Sequence, residues 1–436
     1  MYKMVFTLQN YDLFLNFVSY LNDRFKQPSD MKKAFFPVAA AALLSIAAAA
    51  QNRPAAPGPK TSDYQFTTVK EIPVTSMKNQ NRSGTCWCFS ALSFLESEVI
   101  KAKNLKADAY PDFSEMFVIR HSYHDRALKF VRLNGFLNMA AGSGFGDVLE
   151  VIRDYGLMPQ SAYSGMNYGY DLPVQGELDA VLKGYVQAVI TNPNRKLTPV
   201  WPKGFDGILD AYLGVLPETF KENGKTYPAE SYRDAMGINP DDYVNISSYT
   251  HHPFYSQFAI EVEDNWRAGL CYNLPLDEFM AVIDKAVENG YTVLWGGDVS
   301  ETGFTRDGLA VLLDEEAKPT TGSDQERWVG PARPEGAPEA AQAKKELPKE
   351  MEVTQESRQI MFDEKTSTDD HGMHLFGTAK DQNGTKYYLI KNSWGVTGAY
   401  DGVWYMSENF VKAKTLNFVV NKKALPKDVA KKLGIK

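Results

Sequence analysis

The feature that most constrains this chain is a separation. Cys86 stands at the head of an apolar stretch in Asn79–Ser90 (NQNRSGTCWCFS), while the residues suited to serve it, His371 and Asn392, lie near the other end of the chain. If they form one site, the fold must lay an early helix against late strands. Cys88, Ala91, Leu92, Leu95 and Val99 recur at three- and four-residue spacing, which predicts a helix over 85–101 with one apolar face. Cys86 then opens that helix, where unpaired N–H groups and the helix dipole favour a thiolate. Gly84 allows a tight entry. Gln80, six residues before Cys86, can supply an amide N–H that pairs with the Cys86 backbone N–H as an oxyanion-binding pair.

A nucleophilic thiolate needs a base. His371 lies in TDDHGMHLFG, and Asn392 follows the strand-like KYYLIK (386–391). Strand, turn and strand bring the two side by side, so that the Asn392 carbonyl fixes the imidazole tautomer. Trp394 shields that contact. His371 and His374 form an H-x2-H, but zinc helices use i, i+4 histidines with an intervening Glu, and three-residue spacing on a strand points the rings to opposite faces. No metal and no cofactor is expected. His251 and His252 read as a turn or packing element, Asp298 as a solvated loop acid, and Cys88 and Cys271 as core.

Elsewhere 113–132 and 146–155 read as helices, the latter stopped by Gly156. Residues 286–299 read as a helix end, a Gly turn and a strand, and 402–406 as a strand. The middle region has mixed signals. Residues 314–350 are rich in Ala, Pro, Glu and Lys and read as a flexible surface excursion. Hydrophobic residues at 44% and charged residues at 23% are globular composition. A net charge of −7 disfavours nucleic acid as a partner. Three cysteines exclude a disulfide scaffold.

Residues 31–50 (MKKAFFPVAAAALLSIAAAA) carry a basic start, a short apolar run and a small-residue end, the pattern of a cleaved signal peptide. The expectation is a periplasmic or secreted protein whose membrane contact is limited to that segment, with 1–30 an upstream extension and 51–63 a linker. The alternative is a genuine extension followed by a membrane anchor.

The order Gln80, Cys86-Trp87, His371, then Asn392-Ser393-Trp394-Gly395 resembles papain-like cysteine peptidases, and the His-Gly-Met start at His371 with the long middle region resembles the bleomycin hydrolase and aminopeptidase C branch. The resemblance covers roughly 65–425. It implies an α+β, two-lobed fold over 64–436, a helical lobe facing a β-barrel-like lobe, with a middle insertion at 164–285. It implies Gln80, Cys86, His371 and Asn392 as oxyanion donor, nucleophile, base and orienter, Gly142, Ser143 and Trp394 on the substrate side, peptides as substrates, and a possible hexamer. Ser83 replaces a disulfide cysteine of papain itself, and Ser143 replaces a glycine of the substrate-binding strand. The resemblance implies a further C-terminal tail whose carboxylate holds a substrate amine; the expectation is that this chain stops before it, which leaves aminopeptidase and endopeptidase cleavage both open. A non-catalytic peptide-binding protein and an acyl transferase using the same thioester are the rival readings.

Overall fold

The computed structural model describes residues 60–194, 196–313 and 347–435, all within the unit Gly58–Lys436. The expected signal segment, most of the linker and nearly all of the 314–350 excursion lie outside the described residues. Its described end returns to the body. Leu347 packs beside Tyr64, Leu309 and Val311, and Glu350 accepts from the Leu312 N–H at 2.8 Å.

In chain order, β1 is Thr67–Glu71 and α1 is Cys86–Lys103; α2 is Glu115–Arg132, started by Ser114 accepting from the Phe117 N–H, and α3 is Phe145–Tyr155. Gly156 ends α3 at φ +84°, where a Cβ would run into the Ala229 backbone. The middle region builds α4 (Gly176–Ile190), α5 (Trp201–Leu213), a hairpin of β2 (Phe220–Glu222) and β3 (Lys225–Tyr227), and α6 (Ala229–Met236). It continues into β4 (Tyr243–Ser247), β5 (Gln257–Ala259), β6 (Leu270–Asn273) and α7 (Leu276–Glu288). This region is shared out. Leu182, Phe205 and Leu209 join the helical core, while β4 to β6 extend the main sheet.

The remainder is β7 (Val293–Gly297), β8 (Leu309–Ala310), α8 (Gln355–Asp363), β9 (His371–Lys380), β10 (Lys386–Lys391), β11 (Val403–Ser407), α9 (Glu408–Lys414), β12 (Thr415–Asn421) and α10 (Lys427–Lys432). The lobe expected to be barrel-like is one ten-stranded mixed sheet in the order β5-β6-β4-β12-β7-β9-β10-β11-β8, with β1 added to β9. β9 pairs β7 along His371–Leu375, β1 along Gly377–Lys380, and β10 on its other edge. Helix α1 covers one face and α7 packs on the other through Phe279 and Ile283. With both faces covered, β9 loses apolar–polar alternation and stays buried for seven residues from His371.

Two cores result. One is helical, around Phe94, Phe117, Val151 and Leu209; the other lies beside the sheet, around Trp295, Met373, Ile390 and Phe418. Helix α1 runs between them, so the single apolar face expected for it is not what forms. Every residue from Cys86 to Ile100 is buried, and its polar side chains have partners. Glu96 accepts from the Phe113 N–H (2.9 Å), Glu98 from Asn421 (2.6 Å), and Ser97 donates to the Pro73 carbonyl (3.1 Å). No described helix is long and apolar enough to cross a membrane.

Candidate active site

Cys86 is the first residue of α1 and is 8% exposed. His371 is the first residue of β9. Both line one cleft of about 1260 Å³, with Trp87, Ser143, Gly144 and Asp264 on its walls. The approach of β9 to α1 depends on the residue after the histidine: a Cβ on Gly372 would stand 2.9 Å from Ser90 Oγ and 3.0 Å from the Phe145 ring. The His-Gly pair therefore lets the strand carrying the imidazole lie directly on the helix carrying the thiol.

The imidazole is held from behind. His371 Nε2 is 2.7 Å from Asn392 Oδ1, an oxygen that also accepts from the Ser393 N–H at 2.7 Å. An amide oxygen accepts only, so Nε2 carries the proton and Nδ1 is left with its lone pair. The Trp394 ring lies over His371 with centroids 5.0 Å apart and is backed by Trp404. Trp394 is buried and is not among the residues lining the cleft. Lys391, one residue before Asn392, ties β10 to α1 by donating to Ser93 Oγ (2.8 Å) and the Thr75 carbonyl (2.9 Å). Burial pushes its pKa down to about 8.

Gln80 is fully buried in a loop locked to the Asn392 turn. Its N–H donates to the Ser393 carbonyl (2.7 Å), its Oε1 accepts from Ser393 Oγ (2.5 Å), and its Nε2 donates to the Ser83 carbonyl (2.7 Å). The amide orientation is thus fixed, and one Nε2 hydrogen is committed within the loop. Sequence reasoning gave Ser393 no role; its place between Asn392 and Trp394 was the available signal.

Gly142 and Ser143 belong to a segment held by two buried side chains. Trp87 Nε1 donates to the Ala141 carbonyl (2.9 Å), and the Arg126 guanidinium donates to the Ala140 and Gly142 carbonyls and to Ser143 Oγ. Ser143 Oγ also accepts from Trp266 Nε1 (2.8 Å), so the hydroxyl is engaged in this buried network. A Cβ on Gly142 would meet the Asp264 carboxylate at 2.0 Å. Arg126, Asp264 and Trp266 were missed because nothing in their local sequence marks them.

The other candidates fall elsewhere. Cys88 and Cys271 are buried, free thiols. Burial pushes Cys88 well above the usual thiol range and Cys271 up to about 12, so neither ionises readily. His374 is fully buried against Ser93 Oγ (2.9 Å), and burial, with Lys391 close by, keeps it uncharged. Asp298 is not the solvated acid expected. It is 2% exposed and accepts from the Ser300 N–H (2.6 Å) and the Thr368 N–H (2.9 Å), anchoring the approach to His371.

Burial, then the Asp370 carboxylate, push the Asp298 pKa up from 3.8 to about 7. Between those pH values the folded chain keeps a proton that the unfolded chain has lost. The contribution is greatest below the lower value and disappears as pH rises through the upper one. Melting temperature should therefore fall less steeply from pH 4 to pH 7 in Asp298→Asn than in the parent, on the values cited. Equal slopes would refute the assignment.

The profile of the Peptidase C1-like family matches residues 343–435. Aminopeptidase G of Lactobacillus delbrueckii subsp. lactis is 22% identical over 400 residues, covering 82% of this chain and 83% of the relative. Aminopeptidase C of the same organism is 23% identical over 412 residues, covering 85% and 84%. The chain is thus similar, over most of its length, to cysteine peptidases of the papain-like kind. It is similar as well to the mitochondrial cysteine proteinase 1 of Saccharomyces cerevisiae, 21% identical over 416 residues, covering 86% of this chain and 80% of that one. The peptidase also shares its fold with PepW of Lactobacillus rhamnosis, at TM-score 0.63 and 18% identity over 98% of this chain and 95% of that one.

Proposed function

We propose that the peptidase cleaves through an acyl-enzyme on Cys86 and that it removes residues from free N-termini. The observation that carries the chemistry is one cleft faced by both the helix-opening thiol and an imidazole whose far nitrogen rests on Asn392 Oδ1. Cys86 passes its thiol proton to His371 Nδ1, and the thiolate attacks the substrate carbonyl carbon. The Cys86 N–H and the second amide hydrogen of Gln80 hold the oxyanion. His371 gives a proton to the leaving amine, then takes one from the water that splits the thioester. Asn392 keeps the ring oriented throughout.

Two observations support the preference for a free amine. Relatives carry the names aminopeptidase G, C and W. Acidic residues also line the cleft on both sides of the reacting groups, with Asp264 over Gly142 and Asp369 and Asp370 preceding His371. In a fluorogenic pair differing only in a free or blocked N-terminus, the free-amine peptide should be cut at least about tenfold faster, the effect of roughly 1.4 kcal/mol. Equal rates would mean an endopeptidase.

The same reading includes export, supported by the 31–50 pattern, and a product that is periplasmic or secreted; N-terminal sequencing of the mature protein tests it. A ring of six copies, as the branch resemblance implies, is tested by light scattering.

A further inference from the structure

Away from the thiol, two imidazoles converge on one carboxylate. His251 and His252 follow β4 in a turn, and Glu261 follows β5. His251 Nε2 lies 3.0 Å from Glu261 Oε2, and His252 Nε2 lies 2.7 Å from Glu261 Oε1. One ligand atom from each residue falls within 4.8 Å of the others. We propose that His251, His252 and Glu261 bind one divalent ion of the zinc class and thereby brace a wall of the substrate cleft.

The donor set is suited to that class. Neutral imidazole and carboxylate are borderline-to-hard ligands that zinc takes together, with water in the fourth position. Both rings are placed by packing: His251 stacks on Phe362 at 9° between planes, and His252 on Phe258 at 26°. His251 is also supported from behind. Gln359 is 8% exposed, and its Oε1 accepts from the Thr250 N–H at 2.6 Å while its Nε2 donates to Asp363 at 2.9 Å. Its two amide atoms lie 3.0 and 3.3 Å from His251 Nδ1. A tautomer change turns Nδ1–H onto the amide oxygen at 3.3 Å and gives Nε2 the lone pair a metal needs.

The position gives the site a consequence. Gln257, Ile260, Val262 and Asp264 line the cleft, so Glu261 sits on the segment that forms this wall. An ion joining Glu261 to the His251–His252 turn ties the wall to the end of β4. In the sequence the doublet carries no recognisable metal-binding spacing, because Glu261 stands ten residues on among other acids, Glu263 and Asp264.

The test uses the full chain carrying Cys86→Ala, so that the nucleophile cannot capture the metal, and zinc chloride as the probe in equilibrium dialysis. Glu261→Gln and His252→Ala should each weaken zinc binding at least about tenfold, with near-UV circular dichroism confirming the fold. Zinc should also slow amide hydrogen exchange across residues 251–262 of the parent. Absence of zinc binding in the parent, equal affinity in the folded variants, or slowed exchange confined to the region of His371 would each overturn the proposal. If neither variant folds, the exchange result in the parent decides alone.

Discussion

Cys86→Ala should lower peptide hydrolysis by about four orders of magnitude or more, the scale of loss when a nucleophile is removed from a cooperating set, and leave the melting temperature close to the parent's. The loss is large because no other thiol can substitute. Cys88 is two positions along the same helix, but its sulfur lies 3.5 Å from the Glu115 carbonyl inside the helical core, and burial keeps it protonated. Cys271 is held by burial in the same state. The fold should survive because the Cys86 side chain borders the cleft and is absent from both cores. Initial rates on a fluorogenic peptide, with thermal unfolding in parallel, check both halves. Retention of more than a tenth of the activity would remove Cys86 from the mechanism.

Arg358→Ala should destabilise the fold by about 3 kcal/mol or more, because each hydrogen bond from a charged group to a buried carbonyl contributes about 1.5–3 kcal/mol. Arg358 is fully buried in α8, and among the described residues no carboxylate pairs with it. Its guanidinium donates to the Ser248 carbonyl (2.9 Å), to Lys412 (2.9 Å) and Ala413 (3.3 Å) at the end of α9, and to Thr415 at the start of β12. It lies 4.6 Å from the Tyr249 ring centroid and 5.0 Å from that of Phe279. Truncation leaves four carbonyls short of a donor and removes a cation from a helix C-terminus, where the dipole favours one. Urea unfolding measures the loss. A change under about 1 kcal/mol, the scale of a surface pair, would mean that water replaces the side chain.

How much of this was legible in the sequence depended on how local the signal was. α1, α3 and β10 were readable because apolar spacing, a glycine stop or a β-rich run sits within each segment. The pairing of His371 with Asn392 was readable because one hairpin joins them. The surroundings of α1 were not: a helix buried on all sides needs polar residues with partners, and Ser93 and Glu98 find theirs on the remote β10 and β12, Glu96 on the segment just before α2. The same holds for Asp298, which looks like an ordinary loop acid until residues 368–370 close over it. Arg126 and Trp266 shape the cleft from a helix and a loop far apart in sequence, so only the folded chain reveals them.

The distance between Cys86 and His371 also sets an order of events. As the ribosome releases the chain, α1 emerges long before β9, and His371 arrives only when most of the polypeptide has been made. Loop closure over so many residues is slow and is completed late. Until then the thiol lacks the His371 imidazole and the part of the cleft lining that β9 supplies. On the proposed mechanism, competence to cut requires the completed sheet, and a truncated product that ends before residue 371 carries Cys86 without its base.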